Sequence, residues 1–143
     1  MTPQSIIDHM LARYEGLSLK DYMGDRAFFH NPGKVLPLGT LVAALTLNTG
    51  VGNKQFRFTF RLSREEFIKY FGPLPATPTK GDEIAGTWDY SKVDEMVPHR
   101  YYGWDGTVGV LMPTAAKFEA VYAPLVDAAH KAAVKRFRGR VGL

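Results

Sequence analysis

The sequence predicts an α+β domain, a mainly antiparallel sheet of about five strands with N-terminal and C-terminal helices packed on it. Three observations carry this reading. "FRFTFRL" alternates strictly, with Phe56, Phe58, Phe60 and Leu62 on one face and Arg57, Thr59 and Arg61 on the other. Both ends of the chain carry apolar residues at helical spacing. The strand-like runs come in groups of three and two, without the strand-helix-strand alternation of a parallel sheet.

In chain order, "TPQSIIDHMLARYEG" reads as a helix. Thr2 suits the cap, Pro3 the first turn and Gly16 the stop, and Ile6, Ile7, Met10, Leu11 and Tyr14 form its apolar stripe. "RAFFHNPGK" reads as a short strand ending in an Asn-Pro-Gly turn. "LVAALTLN" is nearly continuous in apolar residues, as a strand covered on both faces would be. "TGVGNK" has Gly-x-Gly and a lysine but no full phosphate-loop pattern and no helix signal after it, so a hairpin loop is expected.

After the phenylalanine strand, "SREE" is a capping box, in which Ser63 and Glu66 each satisfy the other's amide. A short helix should follow, with Phe67, Ile68 and Phe71 inward and Gly72-Pro73 ending it. Residues 73–98 read as a long irregular loop. "YYGWDGTVGVLMP" reads as two strands joined by a turn at Asp105-Gly106, with Trp104, Val108 and Val110 packed inward. From Thr114 a long helix is expected, with Phe118, Val121, Tyr122, Leu125, Ala129, Ala132 and Ala133 as its stripe. Pro124, which lacks an amide hydrogen, should kink or break it.

Composition bounds the function classes. A chain of 143 residues with 45% hydrophobic residues fits one domain, residues 1–143, with a real core. No cysteine is present, which excludes disulfides, thiolate metal sites and cysteine nucleophiles and suits a cytoplasmic setting. The longest apolar stretch is far too short to span a bilayer, so no membrane role is expected. The net charge of +4 is uneven. Lys131, Lys135, Arg136, Arg138 and Arg140 cluster in the last thirteen residues, and the rest of the chain carries −1. Such a tail could contact nucleic acid, although a solvated helix end is the commoner use of a short basic run.

Four stretches, "RAFFHNPG", "FRFTFRLSREEFIKYFG", "MVPHRYYGWDGTVGVLMP" and "FEAVYAPLVDAAHKAAVKRF", resemble in order the blocks of a small bacterial family of unknown function, DUF6194. The resemblance runs from Ala27 to Arg140. This chain departs from the pattern in a more apolar "LVAALTLN" and in a connection, "TGVGNKQ", longer in small polar residues. The architecture is also similar to the YjbR-like group of compact α+β proteins, for some of which nucleic-acid binding has been suggested. The resemblance implies a bacterial protein and supplies no activity, cofactor or catalytic residue.

Residue chemistry therefore has to supply the candidates. His99, preceded by the rigid Pro98, is the best candidate acid or base, although a histidine holding the hairpin by a backbone hydrogen bond is the commoner case. Tyr101, Tyr102 and Trp104 could stack on a flat ligand. By alternation Tyr102 and Trp104 are expected in the core and Tyr101 at the rim. Arg57 and Arg61 share a strand face at an expected spacing of about 7 Å, which would suit one small anion. The four histidines are scattered, so neither a metal nor a cofactor is expected. The leading expectation is a non-catalytic ligand-binding or interaction domain using Arg57, Arg61, His99 and Tyr101. The alternatives are an enzyme acting through His99 and a nucleic-acid-binding protein using the basic C-terminal helix.

Overall fold

A computed structural model of the chain describes residues 1–47 and 55–143. The hairpin loop expected over "TGVGNK" lies outside the described residues. Six strands form one antiparallel sheet: β1 (Leu17–Tyr22), β2 (Asp25–His30), β3 (Thr40–Thr46), β4 (Arg57–Arg61), β5 (Met96–Pro98) and β6 (Thr107–Leu111). Their spatial order is β1-β2-β3-β4-β6-β5.

The helices cover one face. Helix α1 (Pro3–Arg13) starts with a capping box between Thr2 and Ser5. Helix α2 (Arg64–Phe71) starts with the expected one, in which Ser63 Oγ accepts from the Glu66 amide and Glu66 Oε1 from the Ser63 amide, both at 3.1 Å. Ile6 and Met10 of α1, Phe67 of α2 and Phe118, Tyr122, Val126 and Ala133 near the C-terminus meet Phe56, Phe58, Phe60 and Leu62 in one buried cluster. The alternation read in "FRFTFRL" thus places the apolar row against the helices and Arg57, Thr59 and Arg61 on the opposite face. Ile68, expected inward, is exposed, as are Leu11 and Ala132. All three lie at the margins of their apolar stripes.

Pro124 neither breaks nor sharply ends the last helix. Helix α3 (Ala115–Lys117) widens into a π-helical turn (Phe118–Tyr122) and continues as α4 (Ala123–Val141). A wider turn absorbs the missing amide hydrogen and the ring's bulk without parting the chain. The acids of the long loop also find structural use. Asp94 accepts from the amide and hydroxyl of Thr114 at 3.1 and 2.6 Å, and its carbonyl accepts from Tyr122 Oη at 2.9 Å.

Two strands differ from the sequence reading, and both are edges. β1 was not expected at all. "LSLKDY" has only Leu17 and Leu19 as an apolar face, and its charged remainder suits an exposed edge. It joins β2 through Met23-Gly24, with φ of 51° and 84°, the all-positive turn that favours tight hairpins. Methionine is a poor signal for such a turn. At the other edge, the partner of β6 is Met96–Pro98 and not the expected "YYGW" strand. The irregular stretch therefore ends at residue 95, and 99–106 form a wide connection containing a 3₁₀ turn (Gly103–Asp105). Gly106 does take the positive φ expected of it, 96°.

Candidate functional site

The sheet face away from the helices holds the candidate site. Lys20, Ala27, Ala44, Thr59, Gly109 and Val97 pair in register across all six strands. The inner four are small, so the row sinks below its neighbours and forms the floor of a trough. β3, expected to be covered on both faces, contributes Ala44 to this floor, while Leu41 on the same face is exposed. Irregular segments and the β1–β2 hairpin wall one end, and helix α4 walls the other. A cavity of about 730 Å³ lies between Tyr22 and Asp25 on the β1–β2 side and Tyr90, His99, Tyr101 and Tyr102 on the other. A second, of about 520 Å³, continues from it past Ala44, Thr59 and Asp105 to Arg61, Arg136 and Arg140.

Gly109 has a specific role here. A Cβ at this position would stand 3.0 Å from Arg57 Cδ and 3.3 Å from Cγ. The bare glycine lets the Arg57 stem lie across β6 and carry its guanidinium to the cavity wall. There Nη2 donates to the Tyr90 carbonyl at 2.7 Å, while Nη1 is buried with no hydrogen-bond partner among the described residues. Burial, and then the nearby charge of Arg100, lower the Arg57 pKa from its ordinary value. Arg100 stacks over the Tyr90 ring at 4.5 Å and pairs with Glu83 at 3.2 Å. Arg57 has no carboxylate within ion-pair distance among the described residues.

His99 is held by its own loop. Its Nδ1 accepts from the amides of Tyr101 and Tyr102, both at 3.1 Å, its amide donates to the Thr107 carbonyl, and its carbonyl accepts from Gly103. The backbone hydrogen bonding expected of His99 is present, with two amides donating to the ring. Two donors on Nδ1 fix the neutral tautomer with hydrogen on Nε2. Burial is the main reason that the His99 pKa falls to about 4. The charges of Arg57 and Arg100 act in the same direction, and Asp105 opposes them. The ring is therefore a neutral donor at pH 7.

Tyr101 lies at the rim as expected, but Tyr102 and Trp104 are not in the core. Tyr102 is 49% exposed and Trp104 36%, because 99–106 is a loop without strand alternation. Tyr101 and Tyr102 line the cavity, and Trp104 does not. The spacing of Arg57 and Arg61 is also corrected. Four residues along a strand separate their Cα atoms by about 13 Å, not 7 Å, so they serve opposite ends of the trough. The basic tail divides as well. Arg136 and Arg140 reach the carbonyls of Leu41 and Gly39, on the trough side of α4. The helical repeat turns Lys131, Lys135 and Arg138 to the other flank. Tyr90, Arg100, Tyr22 and Asp25 were not among the sequence candidates. The first two depend on how the long loop folds back, the others on β1.

Among the described residues no group of three or more metal-ligating side chains gathers, and no helix is long and apolar enough to cross a membrane.

The fold and site define a single-sheet α+β protein with a ligand-sized trough on the sheet face its helices leave uncovered. The chain belongs to DUF6194, a family of unknown function whose model matches residues 1–142. Searches of curated proteins and of solved structures gave no match.

Proposed function

We propose that this protein is a binding domain for a small anionic molecule carrying a flat group, seated in the larger cavity. The observation that carries the reading is Arg57. Its guanidinium is partly buried, bonded on one side to the Tyr90 carbonyl, and its Nη1 is buried without a partner. A buried N–H left unmade costs about 1–3 kcal/mol. A carboxylate or phosphate oxygen that the guanidinium turns outward to meet would recover that cost through a charge-assisted bond. The phenol rings of Tyr101 and Tyr102 offer flat apolar surface beside it, and His99 supplies a neutral N–H donor.

The same geometry favours binding over acid–base catalysis. With Nδ1 engaged by two amides and a pKa of about 4, His99 is a poor proton acceptor at neutral pH. Nucleic-acid binding draws less support, since the basic residues of α4 divide between two flanks.

Benzoate, with benzyl alcohol as its uncharged control, is the direct probe. Isothermal titration and thermal melting should show benzoate binding and stabilising the protein and benzyl alcohol doing neither. Arg57→Gln should weaken benzoate at least about tenfold while leaving the far-ultraviolet spectrum unchanged. Equal behaviour of benzoate and benzyl alcohol, or full benzoate binding by Arg57→Gln, would refute the reading.

A further inference from the structure

The trough does not end at the Arg57 cavity, and its other end is cationic too. Arg61 Nε donates to the Asp105 carbonyl at 3.0 Å, Arg136 Nη2 to the Leu41 carbonyl at 3.1 Å, and Arg140 Nη1 to the Gly39 carbonyl at 3.2 Å. Each guanidinium is thus tethered by one backbone oxygen and keeps further N–H groups for a ligand. The three come from β4 and α4 and line the same cavity of about 520 Å³. None makes an ion pair with a carboxylate among the described residues. The acid nearest in this wall, Asp105, is turned to its own loop, where Oδ1 accepts from the amide and hydroxyl of Thr107 at 2.9 and 2.6 Å. The charge of Arg61 is felt at Arg136, whose pKa is lowered first by burial and then by that neighbour.

Between the two cationic ends the floor is low. On β4 only Thr59 stands between Arg57 and Arg61 on this face, and its cross-strand neighbours are Ala44 and Gly109. Between the two arginines these three small residues form the floor, and Leu41 of β3 borders both cavities beside it. The end-to-end distance, set by four residues of strand, is on the order of 10 Å.

We propose that Arg61, Arg136 and Arg140 form a second anion subsite, and that the ligand is an elongated dianion spanning the trough with one acidic group at each end. This rests on the Arg57 reading and extends it to the ligand's class. Dianions fit both ends, and a single small anion fills only one.

The test uses the α,ω-dicarboxylates from succinate to dodecanedioate, each beside its monomethyl ester, titrated calorimetrically into the full chain. The dicarboxylate advantage over the ester should be negligible at succinate. It should reach at least about tenfold at an intermediate length that bridges the two ends. Arg136→Gln, at an exposed position, should remove that advantage and leave ester binding at the Arg57 end unchanged. Esters and diacids binding equally at every length, with Arg57→Gln abolishing both, would overturn the second subsite and leave the Arg57 reading standing. Failure of every ester and diacid to bind would overturn the second subsite, and failure of benzoate as well would overturn both.

Discussion

Acidification should expose the structural work of His99. Two amides donate to its Nδ1, and its folded pKa is about 4 against an ordinary 6.5. As pH falls, the unfolded chain takes up the proton first, so stability present above about pH 6.5 is lost progressively towards pH 4. Between pH 7 and pH 5 those two values give a loss of at most about 2 kcal/mol from this residue alone. With a urea dependence of about 1–3 kcal/mol per molar, the midpoint should fall by on the order of 1 M. Burial lowers the pKa of His9, His30 and His130 as well, so they add acid sensitivity of the same sign. The comparison that isolates His99 is therefore with His99→Asn, which keeps a side-chain acceptor for the two amides and cannot titrate. Urea melts of both proteins at pH 7 and pH 5 should show the wild type losing the larger amount. Equal losses would mean that the imidazole does not hold the 99–106 loop in its neutral form.

The remaining predictions concern the core, the trough and the tail. Phe58, fully buried and 5.9 Å from the Phe118 ring, should cost about 3–5 kcal/mol on truncation to alanine, read by urea melts; no loss would mean the strand face is reversed. Gly109→Ala should displace the Arg57 stem, weakening benzoate severalfold while changing stability by less than about 1 kcal/mol. Unchanged benzoate affinity would separate Gly109 from the placement of Arg57. Replacing Lys131, Lys135 and Arg138 together by glutamine should leave dicarboxylate binding unaltered, because they lie on the flank of α4 away from the trough. A large loss would place them in the site.

Sequence by itself determined the parts in which local chemistry and burial agree. The Phe56–Leu62 alternation, the Ser63–Glu66 capping box and the two terminal helices were all legible, because period and capping are local properties. From them followed the antiparallel α+β class and the face on which the helices lie. His99 stood out as an acid or base candidate behind the rigid Pro98, and Arg57 as one of two arginines on a single strand face. Tertiary structure decided the rest. β1 is a strand because β2 offers it an edge, although its own sequence is too charged to announce one. The "YYGW" segment is a loop because Met96–Pro98 takes the place beside β6, which frees Tyr101 and Tyr102 to wall a cavity. The trough floor is invisible along the chain, since Ala27, Ala44, Thr59 and Gly109 become one row only when four strands pair in register. Arg61 and Arg136 are 75 positions apart in the sequence and share a cavity wall only because α4 packs beside the sheet. Long-range pairing and the path of loops are set by which surfaces remain to be covered, and that is a property of the assembled fold.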